Sequence, residues 1–158
     1  MNEITIRIDF ANHLKNLKSL IFICAGYYLL IFWAFGYAYI LQNWYSHLFI
    51  LIQIVPTIYI HFIYFAQNSK DKFTIGKNYI IDNKSLQEYH SKDILKVQLH
   101  RSCARIAFLP FQNYTYIKVI LKNQKTFIIT SLLKHNIDQY LNENLEGVVF
   151  ERNCNYFL

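Results

Sequence analysis

Between Ser19 and Ser69 the chain has no Asp, Glu, Lys or Arg, although it carries 16 Lys+Arg and 10 Asp+Glu elsewhere. A soluble domain seldom leaves so long a segment uncharged, because its water-facing positions take up charge. The absence therefore argues against core helices of a soluble protein and points to the bilayer. Cysteine is also sparse. Cys24, Cys103 and Cys154 are odd in number and far apart, so a disulfide framework and a cysteine metal site are both excluded as expectations. With only four Gly and two Pro, the chain has no nucleophile elbow around a Ser or Cys. His13, His47, His61, His90, His100 and His135 have no metal-like spacing. No enzyme motif is found, so the chain reads as non-catalytic, with no cofactor and no metal.

What is present in the charge-free stretch is two apolar runs. Leu20 to Leu41 is 22 residues long and Leu48 to Ala66 is 19. At about 1.5 Å per residue, each approaches or covers the roughly 30 Å of a hydrocarbon core. The intervening Gln42 to His47 is polar and aromatic, as expected of a turn at the membrane surface. Trp44 and Tyr45, with Tyr37 and Tyr39, form an expected interfacial belt. The turn lacks Lys and Arg, whereas Arg7, Lys15 and Lys18 precede the runs and Lys70, Lys72 and Lys77 follow them. The positive-inside rule then predicts two spans in the cell membrane with both termini cytoplasmic. The acidic residues of the leader, the length of the run and the lack of a small-residue cleavage site argue against a cleaved signal peptide.

Two stripes mark the hairpin. Gly26, Leu30, Ala34 and Ala38 recur every four residues and offer a shallow face for another backbone. Gln53, Thr57 and His61 recur likewise beside Pro56. Without a carboxylate they make no ion path, and the expectation is interhelical polar contacts.

Outside the membrane the period is two. Ile4, Ile6, Ile8 and Phe10 alternate as one face of a strand, which is expected to join the edge of the C-terminal sheet. Further strands are predicted at Phe73–Ile75, Tyr79–Ile81, Ser85–Tyr89, Leu95–Leu99, Ala104–Phe108, Tyr114–Lys122 and Lys125–Thr130. Leu133, Ile137, Tyr140, Leu141 and Leu145 then keep helical spacing, with Thr130 or Ser131 as cap and Gly147 past the end. The domains are thus 1–18, a hairpin over 19–66, and a cytoplasmic domain over 70–158. The fold class is α+β: a two-helix transmembrane hairpin, then an antiparallel sandwich or barrel of about seven strands closed by one C-terminal helix.

This order resembles the bacterial pleckstrin-homology-like (PH-like) membrane proteins. The stretches that carry the resemblance are Phe73 to Ile81, Lys92-Asp93-Ile94-Leu95-Lys96-Val97, and Tyr114 to Leu133. It implies a bent sandwich plugged by the helix and no activity of its own, since that fold hosts binding and scaffold functions. Phosphoinositide-binding PH domains place a basic cluster between their first two strands, and the turn there offers only Lys77.

The tail from Lys70 to Leu158 has 13 Lys+Arg against 8 Asp+Glu. Lys70, Lys72 and Lys77 are candidate anionic-lipid contacts, each adding about 1 kcal/mol near a charged leaflet. Arg101, Arg105, Lys118, Lys122 and Lys125 suit one solvated sheet face, too dilute for nucleic acid. The expected partners are membrane lipids and a protein, either another membrane protein or a second copy. The functional reading is a membrane-anchored PH-like binding module. Its alternative is a small accessory subunit of a membrane transporter or membrane enzyme.

Overall fold

The computed structural model describes residues 3–102 and 109–155. The predicted strand at Ala104–Phe108 lies outside them. Alternation before the hairpin produces β1 (Ile4–Arg7), which pairs antiparallel with β2 (Lys72–Gly76), Ile6 opposite Phe73. Strands β3 (Tyr79–Asp82) and β4 (Gln87–His90) complete a sheet in the order β1-β2-β3-β4. A 3-10 turn at Ser91–Asp93 leads out of it, with Asp93 accepting the His90 N–H at 3.3 Å. The second sheet has the order β7-β6-β5-β8, built from β5 (Ile94–Ser102), β6 (Thr115–Leu121), β7 (Thr126–Thr130) and β8 (Val149–Asn155).

Three expectations about this domain change. Among the described residues it has eight strands, where about seven were expected, and β8 follows the helix and runs parallel to β5. A short apolar run, Val148 to Phe150, gave too little pattern to reveal that a polar strand continues from it. The helix α4 (Ile137–Asn144) starts at Asn136, which is left-handed at φ 57°, rather than at Thr130 or Ser131. Thr130 is the last residue of β7, its N–H donating to Asn68, and the Ser131 hydroxyl that could have capped an earlier start donates to Asn16 instead. Finally, Cys154 is disulfide-bonded while Cys24 is free, so the cysteines are not all unpaired.

The core lies between the two sheets and α4. Ile6, Phe73, Ile75 and Ile80 come from the first sheet, Val97, Ile117 and Val119 from the second, and Ile137, Leu141 and Leu145 from the α4 segment. Each is buried, and each such side chain contributes roughly 1.5–3 kcal/mol of hydrophobic stabilisation. The 1–18 segment therefore contributes a strand to the domain, through Ile6.

The hairpin comprises α1 (Phe10–Phe35), α2 (Tyr37–Gln42) and α3 (Ser46–Asn68). Two segments, Phe10–Gln42 and Ser46–Asn68, are long and apolar enough to cross a membrane. The first apolar run is not one continuous helix. Gly36 adopts φ 79°, ψ 172°, and α1 stops there. At such a φ any side chain would be strained, which explains the glycine. His47 bonds both the Tyr28 hydroxyl on α1 (2.9 Å) and the Ile40 carbonyl on α2 (3.1 Å), which ties α2 back beside α1. Chain reversal thus begins at Gly36, inside the apolar run. Gln42 to His47 is not a free turn: Asn43 bonds the Tyr39 carbonyl and Ser46 bonds the Asn43 carbonyl.

Candidate functional site at the hairpin–domain junction

The hairpin is fastened to the domain by amide side chains. Asn16 on α1 is fully buried. Its Nδ2 donates to the Asn12 carbonyl (2.8 Å) and the Ser131 carbonyl (3.1 Å), and its Oδ1 accepts from Ser131 Oγ (2.8 Å). Asn12 Nδ2 donates to the Leu133 carbonyl at 2.9 Å. On α3, Asn68 is also fully buried. It accepts the Thr130 N–H at 3.0 Å and donates to the Ile128 carbonyl at 2.9 Å and to Asp71 at 2.8 Å. Asn113, after Pro110 in a 3-10 turn, reaches Ser19 on α1. A buried amide is tolerated only when its donors and acceptors are met. Here they are met across the junction, so hairpin and domain hold each other.

An aromatic and imidazole cluster fills the space between these clamps. Ile60 and Tyr64 from α3 pack with Tyr114 and Leu132 from the domain. The Tyr64 and Tyr114 rings meet edge to face, centroids 5.6 Å apart. His61 Nδ1 lies 2.8 Å from the Tyr114 hydroxyl, and its Nε2 lies 2.9 Å from His13 Nδ1 on α1. Burial holds the Tyr114 phenol well above its usual range, so it stays protonated and can donate to His61. His61 can then donate from Nε2 to His13. Protons on both facing nitrogens would oppose two donors, so the pair takes at most one net charge. Among the described residues no third His, Cys, Asp or Glu completes a metal site.

The predicted site residues fall in different places. His61 bonds across to α1 and to the domain. Thr57 is buried and donates to the Gln53 carbonyl of its own helix at 2.7 Å. Gln53 is buried too, and its Oε1 has no partner among the described residues. Lys70 and Lys72 lie at the exit from α3, both exposed. Lys77 lies beyond the far end of β2, about 16 Å further along the strand. There it pairs with Glu146 at 3.4 Å. The three lysines are not one patch. Arg7, opposite Lys72 in the β1–β2 register, is the cation that actually neighbours it.

Reasoning from sequence missed Asn12, Asn16, Asn68, Tyr114 and Ser131 as junction residues. The available signal was the Asn12/Asn16 pair, four apart on one helical face, immediately before the charge-free stretch.

A family described as PH domain matches residues 5–138, which takes in β1, the whole hairpin and the sheets up to the start of α4. The chain belongs to the PH domain family. That the match begins within β1 and runs through the hairpin agrees with a strand that precedes the hairpin yet builds the sheet. No curated protein and no solved structure matches the chain. PH domains are generally non-catalytic interaction modules.

Proposed function

We propose that this PH domain is a non-catalytic module anchored in the cell membrane by its hairpin, with both termini cytoplasmic, where it binds or scaffolds a protein partner or a second copy of itself. The observation that carries this reading is the surface of the hairpin. Of the 26 residues of α1 only Asn16 and Leu20 are buried, and Trp33 is 86% exposed. Phe22, Leu29, Leu30, Ile52, Val55 and Phe62 are exposed as well. In water this apolar surface would drive aggregation, whereas in lipid it is at home. The buried asparagines then keep the PH domain against the membrane in one orientation, which suits presentation of a surface to a neighbour.

The six flanking cations support the cytoplasmic side. The Cys154 disulfide argues for the opposite side, because such bonds persist in oxidising compartments. The cations weigh more here, since they act on both ends of the hairpin while the interhelical segment has none. The accessory-subunit reading is favoured by the face at Gly26, around which there is open space for a partner helix.

Crosslinking in intact membranes, followed by extraction in mild detergent and mass measurement, tests the proposal. A mass of two or more chains, or one chain with a companion at fixed ratio, is expected; a companion that is a transporter or membrane enzyme selects the alternative. A lone monomer both before and after extraction would refute the scaffolding role.

A further inference from the structure

The turn between β2 and β3, the 3-10 turn at Ser91–Asp93, the start of β5 and the segment after α4 enclose a cleft of about 620 Å³. It lies beside the Lys77–Glu146 pair, at the end of the domain away from the hairpin. Its walls carry Asn78, Ser91, Lys92, Leu95, Lys122 and Glu146.

One residue fixes the shape of this cleft. Asn78 sits in the left-handed region at φ 68°. Its N–H donates to the Asn144 carbonyl at 2.8 Å, its carbonyl accepts the Ser91 N–H at 2.8 Å, and its Oδ1 accepts the Glu146 N–H at 2.9 Å. Three separate segments are thereby knotted at one point. On another wall the Lys122 N–H donates to the Asp93 carbonyl at 2.9 Å. A cleft held by such bonds is shaped before anything binds, so little ordering cost opposes binding.

Two features of the walls are not used by the fold. Lys92 and Lys122 are exposed, and among the described residues neither is in a salt bridge. The nearby carboxylates are engaged, Glu146 with Lys77 at 3.4 Å and Asp93 with the His90 N–H at 3.3 Å. The cleft therefore keeps positive charge. The second feature is Leu95. Ile94 pairs with Leu121 but Lys96 with Ile120, so the register shifts and Leu95 is left over in a bulge. A bulge re-aims its side chain, and Leu95 is 52% exposed in the cleft wall instead of buried in the core.

Unpaired cations around an exposed apolar side chain match an acidic stretch of protein that also carries an apolar residue. A second copy of this chain suits the cleft poorly, because a net charge of +6 brings like charge to like. We propose that this cleft is where the PH domain takes its protein partner, and that the partner offers an acidic segment whose carboxylates meet Lys92 and Lys122 while an apolar side chain covers Leu95. The proposal rests on the reading of the chain as a binding module at the cytoplasmic membrane face. On that reading the cleft looks away from the bilayer, toward proteins of the cytoplasm.

The test treats the full chain in its native membranes with a water-soluble carbodiimide, which joins a lysine amine to a carboxylate only where the two touch. Digestion and mass spectrometry then identify the linked peptides. Lys77 linked to Glu146 within the chain shows that the reagent reaches the cleft. Lys92 or Lys122 linked to an acidic peptide of another protein is the expected result. A synthetic copy of that peptide should bind the full chain in neutral detergent micelles. Lys92→Gln with Lys122→Gln, and separately Leu95→Ser, should each weaken this binding at least about tenfold, the scale of a lost charge-assisted hydrogen bond or a lost buried apolar contact, with Tm unchanged. Lys92→Arg with Lys122→Arg should retain it. Lys92 and Lys122 both unlinked, or linked only to a second copy, would overturn the site. Full displacement of the peptide by inorganic phosphate at equal charge would overturn a protein segment in favour of a small anion. The mass of the crosslinked species separates the two readings: a chain still in a complex with Lys92 and Lys122 unlinked refutes this surface alone, whereas a lone monomer refutes the binding module as well.

Discussion

Replacing Asn16 with Leu tests whether the domain is fixed to its hairpin. The volume changes little, but three hydrogen bonds disappear: to the Asn12 carbonyl, the Ser131 carbonyl and the Ser131 hydroxyl. The Asn12 carbonyl can still be served within the helix. The two Ser131 groups lose their partner in a fully buried place, although Ser131 Oγ can still accept the Thr115 N–H at 3.4 Å. An unsatisfied buried polar group costs about 1–3 kcal/mol, so two partly satisfied ones put the loss at roughly 2–4 kcal/mol. Denaturant unfolding of the full chain in micelles, followed by tyrosine near-ultraviolet dichroism, would measure it. The hairpin helices should survive while the junction loosens, so backbone amides of β7 and of the segment at 131–133 should lose hydrogen-exchange protection. A change below about 0.5 kcal/mol, typical of a surface substitution, would refute the claim that Asn16 clamps the two parts.

Other substitutions separate the remaining contributions. Tyr114→Phe removes only the hydroxyl facing His61 and should cost about 1 kcal/mol, whereas Tyr114→Ala also removes the ring packed on Tyr64 and should cost about 3–5 kcal/mol; equal losses in the same unfolding assay would mean the hydroxyl carries the contact. Ile6→Asp buries an unpaired carboxylate in the sheet core, and circular dichroism of the full chain should show loss of cooperative melting, which a mere N-terminal arm would not suffer. Ile137→Asp should do the same through the buried face of α4, and melting like the parent would mean that α4 does not close the sheets.

Much of this architecture was legible in the sequence because its causes are local. Alternation at Ile4, Ile6 and Ile8 announced β1, and its place at the edge of a sheet followed from an apolar face that needs one, though not its pairing with β2. The absence of charge from Ser19 to Ser69 announced the hairpin. The start of α4 was not legible, because Ser131 looks like a helix cap until Asn16, 115 residues away, takes its hydroxyl, and because Thr130 is the end of β7. The break at Gly36 was hidden by the apolarity of its neighbours, which continues unchanged through α2. The junction itself rests on asparagines, and an asparagine beside a long apolar helix reads as a solvent-facing residue until its partner strand is in place. Lys77 shows the converse: close to Lys70 in sequence, it is carried away by one extended strand to pair with Glu146.

The most direct test of membrane anchoring with a cytoplasmic PH domain is site-directed labelling in intact expressing cells with a membrane-impermeant thiol reagent. Cys24, Cys103 and Cys154 are first changed to Ala, and single cysteines replace Tyr37, 63% exposed beside the Gly36 reversal, or Gln87, exposed on β4. Ser46 is unsuitable because it is buried, and Cys154 because it is already disulfide-bonded. The account predicts labelling at Tyr37→Cys in intact cells, labelling at Gln87→Cys only after permeabilisation, and retention of both variants in the membrane pellet. Labelling at Gln87→Cys without permeabilisation would contradict the orientation and give the Cys154 disulfide its oxidising compartment.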